Sequence, residues 1–262
     1  MPPLAITYDL MSNRSLQRIA NNSFLAVNSP RYQAEYCIQQ GIRELDYYAR
    51  VFTDRIVRAF ESLDEEADRL RDEACQRACR SCNAESDDEA HICEWADSLA
   101  GDFYCSVSAI KQGVLNLMVA ALYHFFEQHA DRLLDNSGLP RLPKPPTDQY
   151  SAERLVKYLL ALGVDVSKFG TWDSLDELRL VANTVKHGNG ASAENLRARK
   201  PTLFAACYPS GQRQAPFSMP VMPLAGQGLY LSADDFERYR SALFGFWSEL
   251  ADALLPICGL RE

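Results

Sequence analysis

The sequence predicts an all-α fold, a helical bundle built on two long antiparallel helices. Apolar residues recur every three or four positions along most of the chain, the period of an amphipathic helix and not the alternation of a strand. The prolines concentrate between Pro140 and Pro146 and between Pro209 and Pro223, which leaves long stretches free for helices. With 262 residues, 47% of them hydrophobic, the chain is large enough to bury a core, and we expect one domain, 1–262.

A helical hairpin is predicted over 30–136. Its first arm starts near Arg31, behind Pro30, and carries Leu45, Tyr48, Phe52, Ile56, Phe60, Leu63, Ala67 and Leu70 at helical spacing, with a break expected in the acidic run Asp64-Glu65-Glu66. The second arm runs from Glu89 to Leu134, with Trp95, Leu99, Phe103, Ile110, Leu115, Met118, Leu122, Phe126 and Leu133 as expected buried positions. Gly138 and the prolines at 140, 143, 145 and 146 make 137–150 a connector.

Motif-bearing helices follow over 151–200. A short helix from Ala152 to Leu162 stands behind Ser151 and is closed by Gly163. The next is capped by Asp173 or Ser174 and stopped by Gly188–Gly190; a brief one capped by Ser192 must end before Pro201. Residues 201–232 read as an irregular excursion with a small hairpin, and 233–256 as a final helix behind Ser232 or Asp234. That last helix lines up Phe236, Tyr239, Leu243, Trp247, Leu250 and Leu254 on one face.

Charge and hydropathy narrow the function classes. A net charge of -8 argues against coating a polyanion wholesale. The segment from Lys186 to Arg213 is nevertheless basic, carrying Lys186, Arg197, Arg199, Lys200 and Arg213 against Glu194 alone. The longest apolar run, Gly113 to Phe126 interrupted by Asn116, is short for a bilayer span. The N-terminal Met-Pro-Pro-Leu lacks a basic-then-apolar leader. We therefore expect a cytoplasmic protein with no membrane partner. No glycine-rich phosphate loop, Gly-x-Ser-x-Gly or His-Glu-x-x-His motif is present, which removes the signatures of several common enzyme classes.

Eight cysteines without a leader point to reduced thiols. Cys79, Cys82, His91 and Cys93 form two close pairs of soft ligands, the donor set of a tetrahedral zinc site. Cys75, Cys79 and Cys82 equally fit i, i+4, i+7 on a continuing helix, where small cysteines pack, and the eight residues between Cys82 and His91 leave little room for a site. The expectation is no structural zinc, no disulfide and no cofactor. His124 and His129 read as flanks of a core helix.

The chemistry-bearing stretch is Leu178 to Gly188. Arg179, Asn183 and His187 stand at i, i+4 and i+8, within roughly 80° of one helix face, while Leu178, Val181 and Val185 turn toward a core. His187, Asn183, Arg179 and the neighbouring Lys186 are the candidate site residues, with Arg197, Arg199 and Lys200 in the basic segment that follows.

The ending Asn183-Thr184-Val185-Lys186-His187-Gly188, together with the long helical pair and Tyr123-His124-Phe125-Phe126-Glu127 in the central helix, resembles the HEPN superfamily over about 89–200. The resemblance implies an all-helical, HEPN-like bundle, often a homodimer. It also implies, in many members, a metal-independent endoribonuclease of toxin–antitoxin or phage-defence systems with a cognate antitoxin or defence partner. His187 falls at the family's histidine and Asn183 at its polar residue, but the arginine's position is taken by Ala182. The activity so implied would make His187 the general base, since histidine changes charge near neutrality, Arg179 or Lys186 the cation for charge on phosphate oxygens, Asn183 an orienting amide, and Arg197, Arg199 and Lys200 RNA contacts. Arg179 is eight residues from His187, about 12 Å along a helix axis. Three readings stay open: an RNA-cleaving HEPN-like enzyme, a catalytically silent HEPN-like dimerisation or partner-binding module, and a zinc or small-molecule regulator.

Overall fold

The computed structural model describes residues 29–81, 89–136, 151–207, 213–214 and 228–259. Seven α-helices are found among them: α1 Pro30–Val51, α2 Leu63–Ser81, α3 Glu89–Asn136, α4 Ser151–Ala161, α5 Trp172–His187, α6 Ala191–Arg199 and α7 Ala233–Gly259. The fold is all-α. One two-rung antiparallel ladder, Ala206↔Gln214 and Cys207↔Arg213, supplies the hairpin of the excursion. The connector 137–150, Cys82 and the prolines from Pro209 to Pro223 lie outside the described residues.

The 48-residue α3, about 72 Å long, is the central element. Its N-terminal half packs on α2, and its C-terminal half meets α1, α4, α5 and α7. The final helix buries the face its period announced: Phe236, Tyr239, Leu243, Trp247, Leu250 and Leu254 are all enclosed, against Phe52, Phe126 and Phe246 among others. Ser232 is its cap, its Oγ accepting from Asp235 N–H at 3.2 Å while Asp235 Oδ2 accepts from Ser232 N–H at 2.8 Å. The helix continues through Pro256 to Gly259, past the expected end at 256.

Several sequence expectations are corrected. The first arm does not break in the acidic run. It loosens earlier, through a π turn at Phe52–Val57 and a 3-10 turn at Arg58–Phe60, where Phe52 turns in to stack on Phe236 at 4.0 Å. Asp64, Glu65 and Glu66 instead occupy the first turn of α2, where the helix dipole favours negative charge. Trp95, Leu99 and Ile110, expected inside, are exposed, Trp95 by 54%. Among the described residues the main neighbour along that half of α3 is α2, and it takes the Ala96 and Ala100 face.

Neither Asp173 nor Ser174 caps α5. The helix starts at Trp172, and the cap comes from α7: Glu249 accepts from Gly170 N–H at 2.7 Å, Thr171 N–H at 3.2 Å and Thr171 Oγ1 at 2.8 Å. The two helices come close enough that a Cβ on Gly245 would stand 2.7 Å from Thr171 Cγ2. Gly190, and not Ser192, precedes α6.

Buried polar groups tie the helices together. Asn116, fully enclosed on α3, donates to Leu229 O at 2.8 Å and accepts from Leu231 N–H, and Gln112 donates to Leu231 O at 2.8 Å. The amide thus satisfies the extended strand of backbone that delivers the chain into α7. His129 is buried against Phe125 and Trp247, with Nε2 3.2 Å from Glu44 on α1. Burial pushes its pKa below the usual histidine value, the Glu44 charge opposing this. By length and composition alone, α3 and α7 would each reach across a bilayer.

Candidate functional site

The face of α5 that carries the motif is longer than the motif. Trp172, Asp176, Arg179, Asn183 and His187 follow one another at steps of three or four residues, which keeps them within roughly 80° of arc over about 22 Å. The opposite side, with Leu175, Leu178, Leu180, Val181 and Ala182, goes to the core. The helix ends where Gly188 adopts φ 68°, a left-handed value glycine takes without strain, and its N–H closes on Thr184 O at 2.9 Å.

Lys186 and His187 are exposed at that end and Asn183 is half-buried. None of the three side chains has a hydrogen-bond or ion-pair partner among the described residues. Arg179 is differently placed. Its Nε and Nη2 donate to Asp176 Oδ1 at 2.9 and 2.7 Å, one turn toward the helix start and away from His187. The same Asp176 accepts from Arg199 at 2.7 Å through Oδ2. These two guanidiniums hold its carboxyl below the usual carboxylate range against the opposing effect of burial.

The basic segment is partnered too. Arg197 lies 4.3 Å over the Phe204 ring, and Lys200 is 3.7 Å from Glu177. Glu177, on the inner side of α5, also accepts from Tyr239 Oη at 2.7 Å and pairs with Arg238 at 2.8 Å. The chain thus brings Arg179, Arg199 and Asp176 together and leaves Asn183 one turn away and Lys186 and His187 about two turns away. Within one copy no guanidinium of α5 reaches His187.

Ala182, where the resemblance would place an arginine, is 3% exposed and belongs to the core. Of the soft-ligand set, His91 is exposed and 3.8 Å from Glu94, whereas Cys93 faces Cys75 across α2 and α3. Among the described residues no three His, Cys, Asp or Glu side chains converge as a metal site would require.

Sequence reasoning missed the N-terminal part of this face. Taking Asp173 or Ser174 as a cap started the helix two or three residues too late, although Trp172 and Asp176 already continued the Arg179–Asn183–His187 spacing. Beside these residues α3, α4 and α5 leave a groove of about 390 Å³. Its walls include Tyr123, Phe126, Glu153, Lys157, Trp172 and Arg179.

Fold and site together define an all-α bundle with a part-buried, largely polar helix face that runs from an aromatic-walled groove to an exposed histidine. No protein-family model, curated protein or solved structure matches the chain.

Proposed function

We propose that the protein acts on RNA as a metal-independent, HEPN-like endoribonuclease, with His187 as the base. The observation that supports this best is the exposed, partnerless imidazole at the C-terminal end of α5, in line with Asn183 and Arg179. In this reading His187 takes the proton of a ribose 2′-hydroxyl, the 2′-oxygen bonds to the adjacent phosphorus, and the bond to the 5′-oxygen breaks. The products are a 2′,3′-cyclic phosphate and a 5′-hydroxyl that takes its proton from solvent.

Charge on the phosphate oxygens then needs a cation. Lys186 stands beside His187, and Arg179 is too far along the same helix, so a second copy in a homodimer supplies a guanidinium if one takes part. A cognate antitoxin or defence partner would cover this face. The test is cleavage of single-stranded RNA in excess EDTA: His187→Ala should abolish it with the helical circular dichroism unchanged. Equal cleavage by the variant would refute the assignment.

Ala182 favours a second reading, a catalytically silent HEPN-like module that binds RNA or a partner through the same face. There the wild-type protein would bind RNA and leave it intact.

A further inference from the structure

We propose that the groove between α3, α4 and the start of α5 is a guanine site that seats one unstacked base of a single-stranded RNA, an assignment that rests on the RNA-directed reading above. The walls have the right chemistry for a nucleobase. Half-exposed Trp172 offers aromatic surface over a floor of largely enclosed Tyr123 and Phe126, and every base has a π-face to lay against it. At about 390 Å³ the groove lies in the lower part of the range of roughly 300–1,000 Å³ found for small-ligand sites.

Asp176 and Arg179 on its wall are paired, but three other polar groups are unspent. Tyr123 is 6% exposed, lines the groove, and its hydroxyl takes part in no hydrogen bond with any described residue. That hydroxyl is therefore open to a hydrogen bond with a ligand atom in the groove. Glu153 and Lys157 stand one turn apart on α4, both on the groove, and neither pairs with an opposite charge among the described residues. Guanine presents two N–H donors on its Watson–Crick edge, which suit a free carboxylate. It presents O6 and N7 acceptors on another edge, which suit an ammonium. Uracil lacks the paired donors, and so presents less to Glu153.

Continuity supplies the RNA. Trp172, Asp176 and Arg179 lie both on the groove and on the α5 face that ends at His187. A strand whose guanine enters the groove therefore passes Arg179 and Asn183 before reaching the imidazole, about 12 Å beyond Arg179.

The test is calorimetric titration of the full chain with GMP, AMP, CMP and UMP, and with two short RNAs, all-uridine and the same sequence carrying one central guanosine. GMP should bind saturably and at least about tenfold more tightly than UMP, the discrimination expected of one good base-edge contact. Trp172→Ala and Tyr123→Phe should each weaken it by roughly tenfold, reflecting a lost stacking surface and a lost hydrogen bond. Tyr123→Phe removes an oxygen that no described residue uses, so its fold should be intact. The guanosine-containing RNA should bind more tightly than GMP and than the all-uridine strand.

No saturable GMP binding, or wild-type GMP affinity in both variants, overturns the site. GMP binding without any preference for the guanosine-containing RNA overturns the strand path. The two readings fail separately: if wild type binds GMP but cleaves no RNA, the nuclease assignment falls and the groove stands. Cleavage that depends on His187 without GMP binding has the opposite meaning.

Discussion

Removing Glu249 should loosen the end of α5 that borders the groove. Thr171 has no side-chain cap of its own to offer, and the two backbone donors at Gly170 and Thr171 both end on this α7 carboxylate, as does the Thr171 hydroxyl. A typical hydrogen bond contributes about 1 kcal/mol net and one to a charged acceptor more. Gly170 is exposed, however, so water replaces much of its bond when the carboxylate goes. Glu249→Ala should therefore cost about 2 kcal/mol, at the upper end of measured cap deletions. For a chain of this size that lowers Tm by about 4–8 °C. Glu249→Gln keeps an acceptor and loses the charge that the helix N-terminus favours, and should cost roughly half as much. Thermal melts followed by circular dichroism, with urea unfolding alongside, give both values. A loss below roughly 0.5 kcal/mol for the alanine variant, the scatter of neutral surface substitutions, would refute the argument, as would equal damage from glutamine.

Ala182→Arg, which restores the arginine the resemblance expects, should destabilise by about 3–5 kcal/mol by driving a guanidinium into a close-packed core position, and a stable, more active variant would contradict it; urea unfolding and RNA cleavage decide. Asn116→Leu should cost about 2–4 kcal/mol in the same unfolding assay, because Leu229 O and Leu231 N–H lose their buried partner. Burial lowers the folded pKa of His129 below its unfolded value, against the pull of Glu44, so its contribution to stability is present above about pH 6.5 and is lost as pH falls through the folded value. Glu44 and Asp176, held below the usual carboxylate range, add their losses only at lower pH. Urea midpoints at about pH 7.5 and 5.5 should therefore differ in wild type and converge in His129→Gln.

Much of this architecture was legible because helical period reports the buried face directly. The six residues assigned to the inner side of α7 are all enclosed, and the bounds of α3 were read to within two residues. Period fails where a helix has neighbours on only part of its circumference: Trp95, Leu99 and Ile110 look like core and are exposed, since nothing in their spacing tells that, among the described residues, α2 is the main cover of that half of α3. Caps supplied from a distance are equally silent, which is why Glu249 was missed and the start of α5 misplaced. Asn116 reads as a flaw in an apolar run until the backbone of 229–231 arrives to use it. The grouping of Arg179, Asn183 and His187 on one face followed from spacing. That Asp176 would draw Arg179 and Arg199 together required the fold of α6 onto α5.

The most direct measurement is photocrosslinking of a single-stranded RNA containing thio-substituted bases, with the attached tryptic peptides identified by mass spectrometry. RNA handled along the outer face of α5 should attach to peptides 169–179 and 187–197, which contain Trp172 and His187. Crosslinks confined to other peptides, with none from α5, would contradict the account whether or not the RNA is cleaved.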